Sequence, residues 1–220
     1  MEEADGDASS ALAHFAKGIH RVLVVPKGRV GPPLFLTQVD VLKYLTAQRP
    51  SDAELDRFLA TTSLQDLGVQ SEGGALGEKR LVTVAITDEL DIALGIMLQK
   101  NVGAVGVVDL MTGALLTTLS MSDLMGLDEV KVSRLRGTSV GKYLQHRHGE
   151  LLEPLTCTLD DPLGKIINRI LICTVHRCWI VDDSDAGHYA HGVLTITDII
   201  GLIQSALYPL YDPEIGLELE

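Results

Sequence analysis

The chain has 220 residues, of which 46% are hydrophobic and 22% charged, and its formal net charge is −12. This is a globular composition, and the acidic excess disfavours a nucleic-acid surface, which needs a basic face, and weakens attraction to anionic membranes. The acidic start at Glu2 and Glu3 is the wrong charge for a signal or transit peptide, and three cysteines are too few for a disulfide framework. We therefore expect a reducing, intracellular location.

The first part of the chain predicts an incomplete α/β module, copy one, over residues 1–60. Its elements are a helix at 11–15 that closes near Gly18, strands at 22–25 and 34–36, and a helix that begins at Thr37 to Asp40. The usual first strand is missing. Residues 61–80 are rich in Gly, Ser and Gln and predict a linker.

Two fuller modules follow the linker. Copy two (81–130) predicts a strand at 81–86, a helix from Asp88, strands at 104–108 and 114–119, and a helix entered through Ser120 to Asp123. After a connector at 131–150, copy three (151–208) predicts a strand at 155–159, a helix at 160–174, strands at 178–181 and 192–196, and a helix from Thr197. Residues 209–220 form a C-terminal tail.

The order strand, helix, strand, strand, helix therefore recurs, which predicts a repeat architecture. Each copy closes with an aspartate at a helix start, namely Asp40, Asp123 and Asp198. Asp123 follows Asp40 by 83 residues, and Asp198 follows Asp123 by 75. We expect copies two and three to cover each other's sheets, which leaves copy one without a companion.

Helix capping explains any one of these aspartates, because Asp, Ser and Thr satisfy the unpaired N–H groups of a first turn. Their recurrence at one module position also favours a second role. A carboxylate at that place can accept both hydroxyls of a ribose, while nearby N–H and hydroxyl groups face phosphate. Both readings stand on the sequence alone.

A second repeated feature is a basic pair before a buried strand, His20-Arg21 and His176-Arg177, which offers donors for phosphate. The group Cys173, His176 and Cys178 has too few ligands for a metal site, so we predict none. The sequence contains no glycine-rich phosphate loop with Lys and no nucleophile elbow, so we do not expect an enzyme.

The motifs of the chain resemble those of the γ regulatory subunit of AMP-activated and sucrose-non-fermenting-type protein kinases, a family of four CBS (cystathionine β-synthase) modules. The resemblance lies in runs such as Tyr143-Leu-Gln-His-Arg147, Ile166-Ile-Asn-Arg-Ile170 and Thr195-Ile-Thr-Asp-Ile199. It covers about residues 11–203, with copies one, two and three similar to the second, third and fourth modules. The implied fold is α/β (α+β), with tandem CBS modules paired into a Bateman-type module.

The resemblance implies a non-catalytic subunit that binds AMP, ADP or ATP between modules and modulates a kinase, with a catalytic α subunit and a β-type scaffold subunit as partners. It implies the cytoplasm, with the nucleus as a second compartment. The implied ligands are Asp123, Asp198 and Asp40 for ribose; His20, Arg21, Arg147, His176, Arg177, Thr195 and Thr197 for phosphate; and Ile86 and Leu155 around adenine.

The chain departs from the family where animal members carry a phosphate-contacting Lys, because Val39 and Met121 stand there. Asp40 stands where animal members carry a basic residue, and the first module is missing. Two alternatives therefore remain open: a CBS-fold interaction scaffold without nucleotide sensing, and a stand-alone CBS protein that regulates another enzyme or a channel. The incomplete copy one also predicts association with something, including self-association.

Overall fold

The computed structural model describes residues 8–26, 31–48, 52–69, 81–127, 133, 135–182 and 189–207. In chain order the helices and strands are α1 (Ala8–Ala16), β1 (Arg21–Val24), β2 (Leu34–Thr37), α2 (Gln38–Lys43), α3 (Ala53–Thr61), β3 (Thr83–Ala85), α4 (Leu90–Lys100), β4 (Ala104–Val108), β5 (Leu115–Ser120), α5 (Val140–His148), β6 (Thr156–Cys157), α6 (Leu163–Cys173), β7 (Arg177–Val181), β8 (Ala190–Thr195) and α7 (Ile196–Leu207). A π-helical turn (Tyr44–Gln48) follows α2, and a 3-10 turn (Met121–Leu124) follows β5.

The strands form three small sheets, one for each predicted copy. In copy one, β1 pairs antiparallel with β2. In copies two and three, a leading strand lies parallel to the middle strand, β3 beside β4 and β6 beside β7, and a third strand completes the order β3-β4-β5 and β6-β7-β8. The predicted repeat is confirmed, including the absence of a leading strand from the described part of copy one.

Contacts divide the chain into two compact units, and the division cuts through copy three. Unit 1 comprises Met1–Gly77, Leu159–Cys178 and Leu194–Glu220. Within it α1 packs against α7, α2 packs against α6 and α7, and α3 packs against α6. Copy one was expected to lack a companion, and for its helices this expectation is wrong. The apolar faces of α6 and α7 cover them, with Phe15, Leu42 and Ile199 fully buried.

Unit 2 comprises Glu78–Thr158 and Trp179–Val193. Its core includes Val84, Ala93, Val105, Leu119 and Tyr143. The indole Nε1 of Trp179, on β7, donates to the Thr118 hydroxyl of β5 at 2.8 Å. As expected, strands from copies two and three therefore face each other.

The connector predicted at 131–150 contains a helix, α5, that the sequence analysis missed. Val140, Tyr143 and Leu144 are buried at i, i+3 and i+4 spacing, and the Ser139 hydroxyl accepts from the Lys142 N–H. The predicted helix after β5 is only a four-residue 3-10 turn. The tail at 209–220, the linker beyond residue 69 and the turn at 27–30 lie outside the described residues.

Candidate functional site

The three predicted ribose ligands share one local structure. In each copy the aspartate Oδ2 atom accepts the backbone N–H of the Ser or Thr three residues earlier. These distances are 3.0 Å from Thr37 to Asp40, 2.7 Å from Ser120 to Asp123 and 2.8 Å from Thr195 to Asp198. The capping role read from the sequence is therefore confirmed for all three carboxylates.

At Asp40 and Asp198 the hydroxyl of the same threonine adds a second bond to Oδ2, at 2.6 Å from Thr37 and 2.7 Å from Thr195. The Thr37 hydroxyl, followed by the Thr37 backbone N–H, holds the pKa of Asp40 below its ordinary value of 3.8. The charged form of Asp40 is therefore favoured, as an acceptor for ligand hydroxyls requires.

Asp198 and Thr197 line one cleft in unit 1, of about 500 Å³. The other described residues lining it are Ala16, Asp66, Leu67, Gly201, Leu202, Gln204, Ser205 and Ala206. Lys, Arg and His are absent from this described lining, whereas Asp66 adds a second carboxylate. Hydrogen bonds from Ser63 lower the pKa of Asp66, so this group also favours its charged form.

A buried amide joins copy one to copy three beside this cleft. The Gln38 Nε2 group donates to the Thr197 hydroxyl at 2.9 Å and to the Phe15 carbonyl at 3.1 Å. The Gln38 carbonyl oxygen lies 3.1 Å from Nδ1 of His20. The structure therefore connects two predicted phosphate ligands, His20 and Thr197, through a residue that sequence reasoning missed. Its only signal was a polar side chain inside the Thr37-Gln-Val-Asp40 motif.

Asp123, in unit 2, has an internal partner on each carboxylate oxygen. Ser120 occupies Oδ2, and Nε2 of His148 lies 3.0 Å from Oδ1. The Tyr143 hydroxyl donates to the Asp123 backbone carbonyl at 2.5 Å. Burial raises the pKa of Tyr143, so its hydroxyl keeps its proton for this bond. His148 was placed in the connector by the sequence, and nothing there linked it to Asp123.

The other predicted phosphate ligands are dispersed over the described surface. Arg21 and His176 are exposed. Arg147 is also exposed, and its Nη2 donates to the Met125 carbonyl at 3.1 Å. Arg177 is half-buried, and burial lowers the pKa of its guanidinium.

The predicted adenine contacts Ile86 and Leu155 are both half-buried in unit 2 and have backbone roles there. The Ile86 carbonyl accepts from Gly141 at 3.0 Å, and the Leu155 carbonyl accepts from Trp179 at 2.8 Å. Their apolar side chains border the strand ends at which they were predicted to contact a base. The described helices include none that is long and apolar enough to cross a membrane.

No protein-family model matches the chain. It is 25% identical over 215 residues to the SNF1-related protein kinase regulatory subunit gamma-like PV42a of Arabidopsis thaliana, covering 88% of this chain and 59% of that protein. It is 27% identical over 168 residues to the 5'-AMP-activated protein kinase subunit gamma of Kluyveromyces lactis, covering 76% of this chain and 47% of that protein. The chain thus spans about half the length of the curated relatives it matches.

Among solved structures, protein MJ1225 of Methanocaldococcus jannaschii, a candidate archaeal homologue of the AMP-activated kinase γ subunit, has a TM-score of 0.64 at 15% identity. The match covers 89% of this chain and 64% of that one. Structural neighbours at this level of identity show the fold, which is that of tandem CBS modules.

Proposed function

We propose that this CBS-fold chain, whose curated homologues include γ subunits of AMP-activated and SNF1-related kinases, is a non-catalytic regulatory protein that binds adenine nucleotides. It would modulate a partner protein kinase by changing its contacts with a catalytic α subunit and a β-type scaffold subunit in the cytoplasm. The observation that carries the proposal is the threefold recurrence of an ionised Asp held by Ser or Thr at a helix start. Capping requires no such repetition.

Asp198 is the ribose acceptor that the geometry favours. It lines an open cleft together with Thr197, where a ribose and its phosphate can approach the start of α7. Asp40 and Asp123 are the further candidates. The basic groups His20, Arg21, Arg147, His176 and Arg177 would supply phosphate contacts, with Thr195 supporting the carboxylate, and Ile86 and Leu155 would border adenine.

A second candidate function is a CBS-fold scaffold that binds its partner without sensing nucleotide. Two observations favour it: the Asp198 cleft contains the Asp66 carboxylate but no described cation, and His148 contacts Asp123. Both features oppose an anionic ligand or compete for its acceptor. A stand-alone CBS protein serving another enzyme or a channel is the third candidate.

Calorimetric titration of the full chain with AMP, ADP and ATP tests the nucleotide part. We expect saturable binding that weakens at least about tenfold in Asp198→Asn, because a charge-assisted bond to a ribose hydroxyl contributes about 1.5–3 kcal/mol. The matched control is Asp91→Asn, an exposed aspartate in the first turn of α4. Absence of binding by folded wild-type protein would reject nucleotide sensing.

Affinity capture of the α and β-type kinase subunits, with and without AMP, tests the partner part. Capture that responds to AMP supports the regulatory role. Capture indifferent to AMP supports the scaffold, and recovery of a non-kinase enzyme or a channel supports the stand-alone protein.

A further inference from the structure

The three copies can be aligned through one backbone feature. In each copy a residue with left-handed φ ends the helix before the middle strand: Gly18 (90°), Asn101 (52°) and Thr174 (52°). The fifth residue after each is Leu23 in β1, Gly106 in β4 and Trp179 in β7. These three residues therefore occupy equivalent positions on their sheets.

Within unit 2 two of these equivalent positions cover each other. A methyl group added at Gly106 would lie 3.5 Å from the Trp179 ring. Thr118, which accepts the Trp179 indole N–H, is the cross-strand neighbour of Gly106. Trp179 is only 2% exposed. One large side chain thus fills the space over one glycine, and the two sheet faces are closed to solvent.

The equivalent face of copy one is open. Leu23 is the cross-strand neighbour of Phe35, as Gly106 is of Thr118. Leu23 is 53% exposed, Phe35 is 72% exposed and Val25, just beyond β1, is 56% exposed. We call Leu23, Val25 and Phe35 the hairpin face. Among the described residues β1 also has no strand on its outer side, whereas β4 and β7 each have one.

We propose that the hairpin face binds the hairpin face of a second copy of this chain. The resulting dimer would repeat, between chains, the contact between sheets that Gly106 and Trp179 make within unit 2. An apolar patch on an otherwise strongly acidic chain is the kind of surface that marks a protein interface. The proposal concerns assembly and is independent of nucleotide binding.

The size and charge of the side chains favour a second copy as the occupant. A twofold interface must be self-complementary, so Leu23 would meet Leu23. Two medium-sized side chains there replace the large and small pair, Trp179 and Gly106, of unit 2. Strands β1 and β2 carry one charged residue, Arg21, at the start of β1. Two copies can therefore meet without burying an acidic group, although each chain has a net charge of −12.

Salt should strengthen this dimer. The two acidic chains repel each other at long range, and salt screens that repulsion while leaving the apolar contact in place. A dimer held by ion pairs would respond in the opposite direction. The interface is small, so we expect association in the micromolar range or weaker.

Sedimentation velocity of the full chain over about 1–200 μM tests the proposal in the affinity range expected for a small interface. We expect the mass to rise from one chain to two, Leu23→Glu and Phe35→Glu to remain monomeric, and Leu98→Glu to behave like wild type. Leu98 is a matched control because it is 84% exposed on α4. Wild-type protein that stays monomeric, or hairpin variants that still dimerise, would overturn it.

Cross-linking keeps the test valid if a glutamate variant fails to fold. Cys173 is exposed and Cys157 and Cys178 are buried, so Cys173→Ser gives a background without a described exposed thiol. In it, mild oxidation should link two Leu23→Cys chains covalently and should not link two Leu98→Cys chains. Equal cross-linking of the two variants, or none at Leu23→Cys, contradicts the proposed face.

Discussion

The imidazole of His148 contacts the carboxylate of Asp123, with Nε2 of His148 3.0 Å from Oδ1 of Asp123. His148 ends α5, and Asp123 lies in the turn after β5, 25 residues earlier. Because Ser120 already occupies Oδ2, this contact engages the second oxygen of the predicted ribose acceptor. His148 therefore competes with any ligand hydroxyl for Asp123.

Replacing His148 with Ala should strengthen nucleotide binding at Asp123 by about threefold to tenfold, because a competing hydrogen bond of about 1 kcal/mol is removed. Titration with AMP measures the effect, and His146→Ala, an exposed histidine on the same helix, is the matched control. Unchanged or weaker binding in His148→Ala would show that this contact does not limit the site. Binding to neither variant nor wild type would instead reject the proposed function.

Replacing Gln38 with Leu should lower the free energy of unfolding by about 1–3 kcal/mol. The change removes the donor to the Phe15 carbonyl and the Thr197 hydroxyl, and Gln38 is only 7% exposed, so water replaces it poorly. Urea unfolding followed by the fluorescence of Trp179, the only tryptophan, measures the loss. The exposed Gln145→Leu on α5 should change stability by less than about 0.5 kcal/mol. Equal stability of the two variants would contradict a structural role for Gln38.

Replacing Gly164 with Ala should lower the free energy of unfolding by about 1–3 kcal/mol, because a Cβ there would lie 2.7 Å from the Leu59 carbonyl oxygen. Backbone atoms cannot move aside as a side chain can, so α3 and α6 would separate. Gly95→Ala is the matched control, since Gly95 is also helical and exposed, with no atom within 4 Å of its added Cβ. That control should gain up to about 1 kcal/mol from helix propensity. A tolerated Gly164→Ala would mean that the two helices are less tightly packed.

Replacing Asp40 with Asn should lower the melting temperature at neutral pH and have a shrinking effect as the solution is acidified. The folded pKa of Asp40 lies below the ordinary 3.8, so its stabilising contribution is present above pH 3.8 and is lost as the pH falls through the folded pKa. Melting curves of both proteins between neutral pH and about pH 3 measure the difference. A gap that stays constant over this range would show that the charge of Asp40 does not stabilise the helix start.

The sequence alone determined the local structure of the three aspartates. Each pairs with a Ser or Thr only three residues earlier, so the cap depends on neighbouring residues and needs no tertiary contact. The repeated order of strands and helices was predictable for a related reason, since each element follows from its own spacing of apolar residues. Even α5 carried a readable signal, the spacing of Val140, Tyr143 and Leu144, which sequence reasoning passed over.

Only the tertiary structure decided which groups surround those aspartates. Gln38 contacts Thr197 across 159 positions, His148 reaches Asp123 across 25, and Trp179 reaches Thr118 across 61. Such contacts depend on how helices and sheets from different copies pack, and similar copies present similar surfaces, so the repeat does not say which pairs will meet. The exposure of Leu23 where Trp179 is buried shows the consequence: equivalent positions acquire different surroundings.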